Sequence, residues 1–280
     1  MAKIIRKRVL IPERVTELTL DAPDIAAKAK PGNFVILRVC KEGERFPLTI
    51  ADTDTSAGTI TIVYLVMGKS TAMLNCLEEG QEVLDLCGPL GQATDIHPVG
   101  TVICVGGGTG IAAMHHIAKG HALAGNRVIS IIGARSADLL LFEEELKKFS
   151  HEVLVATDDG SKGVKGLVTQ VLHDRLTTDP EVKEVVAVGP VPMMRAVAEV
   201  TRSFGVKTVV SLNSIMVDGI GMCGACRVRV DNQTRFACVD GPEFDAHKVD
   251  FDELTMRLKS FVPQEKQSYT CYCECHEQKS

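Results

Sequence analysis

The sequence predicts an antiparallel β-barrel, then an α/β domain with a doubly wound parallel sheet, and finally a small C-terminal module organised by cysteines. Residues 1–98 alternate short apolar runs with turn signals, whereas residues 99–212 alternate apolar strands with helical periodicity. After residue 212 a glycine-rich loop carries closely spaced cysteines. We therefore expect domains at 1–98, 99–212 and 213–262, followed by a cysteine-containing tail at 263–280.

The barrel is predicted from apolar runs of strand length. They are 4–11, 15–20, 34–39, 46–51, 59–66 and 82–87. Turn signals separate them at Pro31-Gly32, Gly43, Gly58, Gly80 and Gly88-Pro89. One stretch, 70–77, is compatible with a helix. Short strands at this spacing are typical of an antiparallel barrel.

The second domain is predicted from strands that are apolar on both faces. These are 101–105, 127–133, 152–157, 184–188 and 207–212, and the helical patterns between them are 111–123, 139–149, 164–176 and 191–204. Continuous apolar strands joined by helical crossovers indicate a parallel sheet covered on both faces. A further helix is expected over 251–261, ended by Pro263 and followed by a polar tail.

Composition excludes several classes of function. The formal net charge is −5, and no basic stripe is present that would follow a phosphate backbone, so we expect no nucleic-acid partner. No run approaches the roughly 18 apolar residues that span a bilayer, so we expect no membrane insertion. The N-terminus lacks the apolar core of a signal peptide. Ten cysteines in such a chain are more typical of metal or redox chemistry in a reducing cytoplasm than of disulfides.

A glycine-rich loop, Gly106 to Gly110, follows a buried strand and opens a helix. Such a loop lets the backbone approach a pyrophosphate, whose charge the helix N-terminus favours. The next strand ends at Arg135, where many dinucleotide-binding domains carry an acid; this arginine either meets a 2′-phosphate or is simply solvated. Asp158 and the stretch Gly189 to Met194 follow later strands at the same sheet edge, where ligands of α/β domains bind.

Two stretches of the barrel carry groups suited to a phosphorylated heterocycle. Arg45-Phe46-Pro47-Leu48-Thr49 places a guanidinium, a fixed backbone and a hydroxyl on one short strand. Gly68-Lys69-Ser70-Thr71 lies where a strand gives way to a helix and offers amides and hydroxyls to a phosphate. Each stretch alone is also compatible with an ordinary surface loop.

The most specific pattern is the set Asp218, Cys223, Cys226 and Cys238, with the spacing D-x4-C-x2-C-x11-C. Plant-type 2Fe-2S ferredoxins have C-x4-C-x2-C and a distant fourth cysteine, so here aspartate takes the first position. Thiolates at this spacing fit iron-sulfur or zinc; an aspartate four residues upstream is an unusual completion of a zinc site, which favours iron-sulfur. Alternatively Asp218 is a turn residue, and Cys76, Cys87 or a tail cysteine is the fourth ligand.

The tail ends in a second cysteine pattern, Cys271-x-Cys273-x-Cys275-His276. This pattern is either a disordered end or a metal site completed by a partner subunit.

A barrel, a glycine-loop α/β domain and a cysteine-rich end, in this order, resemble the ferredoxin-NADP reductase superfamily. Within it the chain is similar to the electron-transfer subunit of bacterial dihydroorotate dehydrogenase, to the beta subunit of sulfide dehydrogenase, and most of all to the small subunit of NADH-dependent reduced ferredoxin:NADP oxidoreductase. The resemblance covers about residues 1–262. It rests on Arg45 to Thr49, Val63-Tyr64-Leu65, Gly68 to Thr71, Gly88 to Gly91, Gly106 to Gly110, Gly189-Pro190 and the cluster loop.

The resemblance implies three cofactors and the residues that bind them. FAD would be held by Arg45, Pro47, Leu48, Thr49, Val63, Tyr64, Leu65, Gly68, Ser70 and Thr71. NAD(H), with NADP(H) as the alternative, would lie on Gly107, Gly108, Thr109, Gly110, Ile111, Arg135, Asp158, Gly189, Pro190 and Met193. A 2Fe-2S cluster would be ligated by Asp218, Cys223, Cys226 and Cys238, the aspartate-plus-three-cysteine set of the transhydrogenase-like branch. No acid-base catalytic side chain is expected.

The implied function is electron transfer within a heteromeric complex. Hydride would pass between NAD(P)H and FAD, and single electrons would pass through the cluster to a larger flavin and iron-sulfur subunit, with ferredoxin as an indirect partner. A ferredoxin:NAD(P) transhydrogenase-type complex, which can involve electron bifurcation, is the favoured assignment. The alternatives are the dihydroorotate dehydrogenase complex and a zinc-containing, nucleotide-binding redox sensor without turnover.

Overall fold

The computed structural model describes the backbone of residues 1–277 and the side chains of residues 1–274. The first sheet has seven antiparallel strands: β1 Ala2–Ile11, β2 Val15–Asp21, β3 Phe34–Arg38, β4 Phe46–Asp54, β5 Thr59–Leu65, β6 Glu82–Val83 and β7 Asp85–Leu90. Their order in the sheet is β6-β1-β2-β5-β4-β3-β7. Two short helices, α1 Pro23–Ala26 and α2 Lys69–Asn75, lie between them. The sheet curls into a nearly closed barrel, which confirms the predicted antiparallel barrel.

The second sheet is a parallel sheet with one antiparallel edge strand, in the order β11-β10-β9-β8-β12-β13-β16. Its strands are β8 Thr101–Gly107, β9 Arg127–Ala134, β10 Glu152–Thr157, β11 Val164–Lys165, β12 Val182–Val188, β13 Lys207–Ser211 and β16 Glu243–Asp245. Helices α3 Gly110–Leu123, α5 Val168–Thr178 and α6 Val191–Phe204 cover it. Apolar residues on both faces bury against these helices, which confirms the doubly wound α/β fold.

Two predicted helices of this domain differ from the structure. The pattern at 139–149 forms only a 3₁₀ turn, Ala137–Leu139, and one helical turn, α4 Glu143–Leu146, because Phe142 adopts a left-handed backbone with φ of 58° and interrupts the helix. The pattern at 164–176 begins with the short strand β11, and Gly166, with φ of 138°, separates it from α5. Apolar periodicity alone does not reveal such backbone breaks.

The cysteine module is joined to the second sheet. Its hairpin, β14 Arg227–Val230 and β15 Gln233–Phe236, turns at Asp231 and Asn232, whose φ angles of 54° and 58° suit a tight two-residue turn. β16 then pairs with β13, and helix α7 Phe251–Leu258 begins at Asp250, whose side chain accepts a hydrogen bond from the Glu253 amide. The module therefore extends the edge of the parallel sheet.

The tail forms a helix, α8 Val262–Glu277, that packs against α2. Pro263 was expected to end a helix over 251–261; instead α7 ends at Leu258, and Pro263 lies in the first turn of α8, where a missing amide hydrogen costs nothing. The side chains of Cys275 and His276 lie outside the described residues, so the predicted tail pattern is seen only through Cys271 and Cys273. Within residues 1–277, none of the helices is long and apolar enough to cross a membrane.

Candidate functional site

A cavity of about 940 Å³ lies between the barrel and the carboxyl edge of the parallel sheet. One wall comes from strands β4 and β5, and the other from the loops that follow β8, β9, β10, β12 and β13. Sixteen of the predicted cofactor residues line it: Pro47, Leu48, Thr49, Val63, Tyr64, Leu65, Thr71, Gly107, Gly108, Thr109, Gly110, Arg135, Asp158, Gly189, Pro190 and Met193. The fold therefore brings both predicted nucleotide sites to one cavity, of a size usual for cofactor sites.

Four predicted residues are not among those that line the cavity: Arg45, Gly68, Ser70 and Ile111. The Arg45 guanidinium is half exposed and lies 3.4 Å from the Asp85 carboxylate. The Ile111 side chain is fully buried in the core under α3. The Gly68 amide donates to the Thr71 hydroxyl, which fixes the first turn of α2. The cofactor roles of these four residues stay predictions.

The glycines at the sheet edge are needed for two reasons: two of them lie too close to neighbouring atoms for a side chain, and one has a backbone angle that favours glycine. A Cβ on Gly110 would lie 2.5 Å from the Val188 carbonyl oxygen, and a Cβ on Gly107 would lie 2.5 Å from the Met193 sulfur. By contrast, a Cβ on Gly108 would meet nothing within 4 Å, and the residue has a φ of 56° that favours glycine. The loop is thus packed tightly on one side and leaves room for a ligand at the N-terminus of α3.

Opposite charges occupy the rim of the cavity at the ends of β9 and β10. Arg135 and Asp158 are both exposed and line the cavity. The Asp159 amide donates to the Arg135 carbonyl at 3.2 Å, so the two loops are held side by side. A carboxylate here suits ribose hydroxyls and a guanidinium suits a phosphate, and the rim offers both groups.

The sequence interpretation missed the floor of the cavity, which is formed by Ser211, Leu212, Asn213, Ser214 and Met216. This segment leaves the carboxyl end of β13 and runs directly to the cysteine loop. Its position after the last parallel strand was an available signal, but it contains none of the glycines or charges that mark a nucleotide loop.

The cavity floor and the buried cysteines belong to one apolar cluster. Leu212 and Met216 line the cavity and belong to the same buried cluster as Cys226 and Cys238. Side chains of the barrel, Phe34 and Ile36, join this cluster. The cysteine module is therefore packed against both larger domains at the place where they meet.

The cysteine loop groups its four predicted ligands in two pairs. Cys226 and Cys238 are each 2% exposed, and their sulfurs lie 3.1 Å apart. In the exposed part of the loop, the Asp218 carboxylate accepts hydrogen bonds from the amides of Ile220, at 3.0 Å, and Cys223, at 2.6 Å. Gly219, Gly221 and Gly224 all have positive φ, which lets the loop curl around this carboxylate. On α7, Arg257 donates to the Ala225 carbonyl and braces the loop.

The four predicted ligands differ in how the fold sets their protonation. Burial and then the neighbouring Cys226 raise the pKa of Cys238 to about 12, so its thiol is protonated near neutral pH. Hydrogen bonds from the loop amides, first that of Ile220, lower the pKa of Asp218 and keep its carboxylate ionised. Among the side chains that the structure describes, no three histidine, cysteine or acidic groups are close enough together to hold a metal ion. The four predicted ligands thus do not form a closed site in the described part of the chain.

The alternative fourth ligands predicted from sequence occupy other elements. Cys76 ends α2, where its sulfur lies 3.6 Å from the Tyr272 hydroxyl, and Cys87 is exposed on β7.

Comparisons with known proteins match both parts of this site. The family model for the iron-sulfur cluster binding domain of dihydroorotate dehydrogenase B matches residues 213–250. The model for the oxidoreductase NAD-binding domain matches residues 104–199. The chain thus carries an NAD-binding domain and an iron-sulfur domain in the order predicted from sequence.

Relatives match over nearly the whole chain. A homolog of the dihydroorotate dehydrogenase B (NAD(+)) electron transfer subunit from Thermotoga maritima is 47% identical over 94% of this chain and 93% of its own. The electron transfer subunit of that enzyme from Bacillus caldolyticus is 37% identical over 86% of this chain and 94% of its own. A chain in the solved structure of NADH-dependent reduced ferredoxin-NADP oxidoreductase superposes with a TM-score of 0.92 at 44% identity, covering 98% of each chain.

Proposed function

This chain belongs to the family of dihydroorotate dehydrogenase B electron-transfer subunits, and from that premise we propose that it passes electrons between a nicotinamide dinucleotide and a partner subunit through FAD and a 2Fe-2S cluster. It is an oxidoreductase subunit with an NAD-binding and an iron-sulfur domain. The observation that carries the proposal is the cavity between barrel and sheet, whose floor residues Leu212 and Met216 belong to the same apolar cluster as the buried cysteine pair.

The barrel wall of the cavity fits a flavin. Pro47, Leu48 and Thr49 on β4, together with Val63 to Leu65 on β5, present backbone edges and apolar side chains that suit a flat heterocycle. FAD, when bound, supplies the chemistry that accepts a hydride and gives up electrons one at a time. The role of these barrel residues is to hold its ring system at the cavity wall and to exclude water from it.

The sheet wall fits the dinucleotide. Gly108 and the N-terminus of α3 would receive the pyrophosphate, while Gly189 and Pro190 border the space for the nicotinamide. Asp158 at the rim would accept hydrogen bonds from the ribose hydroxyls, which favours NAD(H). Arg135 beside it leaves NADP(H) as the alternative.

The four ligands proposed for the cluster are Asp218, Cys223, Cys226 and Cys238. Each iron of a 2Fe-2S cluster would take two protein ligands. The sulfurs of Cys226 and Cys238 lie 3.1 Å apart, and the loop brings Asp218 to Cys223 through a hydrogen bond from the Cys223 backbone amide. We assign one pair to each iron. Cys226 and Cys238 are buried in the same apolar cluster as Met216, whereas Asp218 and Cys223 lie in the more exposed part of the loop.

The exposed half of the cysteine loop is suited to a partner protein. Val217, Ile220, Met222 and Val239 expose between 40% and 82% of their surface around Cys223. An apolar patch beside a cluster ligand supports docking of a larger redox subunit, which would shorten the electron path from the cluster. Surfaces of this kind are covered in stable complexes.

Two assignments of the partner follow from different observations. The aspartate at position 218 and the high similarity to NADH-dependent reduced ferredoxin-NADP oxidoreductase support a ferredoxin:NAD(P) transhydrogenase-type complex. The names of the relatives and the family model for residues 213–250 support a dihydroorotate dehydrogenase complex. A zinc-containing redox sensor would use the same buried cysteine pair without turnover.

Purification of the native complex tests these assignments together. We expect the chain to contain FAD, iron and acid-labile sulfide, to oxidise NADH with an artificial acceptor, and to co-purify with a larger flavin and iron-sulfur subunit. Co-purification with a dihydroorotate-oxidising subunit selects the second assignment. A colourless protein that contains stoichiometric zinc and lacks diaphorase activity would contradict the proposed function.

A further inference from the structure

The barrel wall of the cavity carries one charged side chain, that of Arg14. All of residues 1–98 are described by the structure, and every other member of this range that lines the cavity is apolar or neutral. A flavin dinucleotide on this wall brings a negatively charged diphosphate against it. The position and the contacts of Arg14 therefore decide whether the wall can compensate that charge.

Arg14 lies in the turn between β1 and β2, and its backbone is tied to the end of β5. Its amide donates to the Ile11 carbonyl at 3.1 Å, and its carbonyl accepts from the Val66 amide at 2.7 Å. Met67, the next residue along the chain, and Thr71 also line the cavity. The turn is thus fixed beside the stretch Gly68 to Thr71, for which the sequence predicts a phosphate contact.

The Arg14 guanidinium is available to a ligand. The residue is exposed, and within the part of the chain that the structure describes no hydrogen bond or ion pair holds its side chain. Arg8, in the same hairpin, is by contrast paired with the Glu17 carboxylate at 2.8 Å. A free guanidinium at a cavity wall can form paired, parallel hydrogen bonds with phosphate oxygens.

Other polar groups expected at the flavin phosphates are already engaged. The Arg45 guanidinium lies 3.4 Å from the Asp85 carboxylate, and Arg45 does not line the cavity. The Thr71 hydroxyl accepts from the amides of Met67, at 3.1 Å, and Gly68, at 3.2 Å. Arg135, the other arginine of the cavity, follows β9 on the opposite wall. Arg14 is therefore the cation best placed for a ligand of the barrel.

We propose that Arg14 binds the diphosphate of the FAD that the barrel holds, and that this contact sets the preference of the chain for a phosphorylated flavin. The proposal rests on the proposed function, because it takes the barrel wall as the flavin site. Arg14 acts here by binding alone: its charge offsets that of the phosphates, and its fork of donors fixes their position.

The experiment removes flavin from the complete chain and titrates back FAD or riboflavin, which has the same ring system and no phosphate, while flavin fluorescence is followed. Arg14→Gln should weaken FAD binding roughly 10- to 100-fold and leave riboflavin binding unchanged. Arg14→Lys, which keeps the charge and loses the fork, should restore part of the FAD affinity. The matched control Arg6→Gln, at an exposed position of β1 outside the cavity, should bind both flavins as the parent chain does.

Four results would overturn the proposal. FAD binding that Arg14→Gln leaves unaltered would exclude the contact. Equal losses for FAD and riboflavin would make Arg14 a structural residue of the turn. An equal loss of FAD affinity in Arg6→Gln would show a long-range effect of net charge. Weaker NADH binding by FAD-loaded Arg14→Gln, with FAD affinity unchanged, would assign the guanidinium to the nicotinamide dinucleotide.

The parent chain separates this inference from the proposed function. A parent chain that binds neither flavin would contradict the proposed function, and the inference with it. A parent chain that binds FAD tightly, beside an Arg14→Gln variant that does so equally, would contradict the inference alone.

Discussion

Replacing Glu243 by glutamine tests how the buried Glu243 carboxyl, which lies where the three domains meet, makes the stability of the chain depend on pH. Burial raises the pKa of Glu243 from 4.5 to about 7; a hydrogen bond from Thr94 opposes the rise, and the Glu184 carboxylate adds to it. The Thr94 hydroxyl, in the segment that leaves the barrel, donates to Glu243 at 2.7 Å. Glutamine keeps the size and the acceptor oxygen of the side chain, so the substitution removes the charge and little else.

The sign of the effect follows from the raised pKa. Below pH 4.5 the carboxyl is protonated in both the folded and the unfolded chain, and its burial is then compatible with the fold. Between pH 4.5 and about 7 the unfolded chain releases this proton while the folded chain keeps it, so stability falls across this window and the loss is complete above about pH 7. A rise from 4.5 to about 7 corresponds to about 3 kcal/mol. Because part of the residue still contacts solvent, we expect about 2 kcal/mol.

Unfolding of the Glu243→Gln variant and the parent chain should be compared at pH 5 and pH 8.5. We expect similar stability at pH 5 and a variant that is more stable by about 2 kcal/mol at pH 8.5, or about 4–8 °C in melting temperature. The exposed carboxylate Glu42, replaced by glutamine, is the matched control and should show no such difference. A difference that does not depend on pH, or a destabilised variant at pH 8.5, would refute the reasoning.

Two further substitutions test the cavity and the cysteine loop. Gly110→Ala drives a methyl group against the Val188 carbonyl, at 2.5 Å, so we expect the free energy of unfolding to fall by about 1–3 kcal/mol. Because relief of this contact displaces the loop, the KM for NADH should also rise in steady-state kinetics. Gly125→Ala, just beyond the other end of α3, is the control: nothing lies within 4 Å, but its φ of 85° strains alanine, so this variant loses stability away from the loop. An unchanged KM in Gly110→Ala would remove this loop from the dinucleotide site. Asp218→Cys should retain a cluster with altered absorption and reduction potential, whereas an unchanged spectrum would make Asp218 a loop residue only.

The sequence was sufficient for the fold because the hydrophobic pattern changes so clearly at residue 99. Runs such as Ile60 and Ile62 in β5 alternate in burial, whereas β8 is buried along its whole length, and these are the patterns of a barrel strand and of a central parallel strand. Breaks in the pattern were harder to predict. Phe142 interrupts a helix through a left-handed backbone that apolar periodicity does not encode, and Pro263 begins a helix that its sequence position suggested it should end.

Parts of the candidate site could be predicted from sequence where the residue type itself, a glycine in a turn or a closely spaced cysteine, indicates the function. The loop at Gly108 and the thiol pair Cys226 and Cys238 are of this kind, since glycine freedom and cysteine spacing are visible in the chain. The ion pair of Arg45, just before β4, with Asp85 of β7 joins segments far apart in sequence, which no local pattern shows. The floor at Met216 likewise becomes visible only when the barrel and the sheet are brought together.

An anaerobic titration of the purified chain with NADH tests the central claim most directly. Iron and sulfide analysis should give about two irons per chain, and added NADH should bleach the flavin absorption and produce the electron paramagnetic resonance signal of a reduced 2Fe-2S cluster. This result would show that electrons cross from the cavity to the cysteine loop within one polypeptide. Flavin bleaching without any cluster signal, in protein that contains the full complement of iron, would contradict the account.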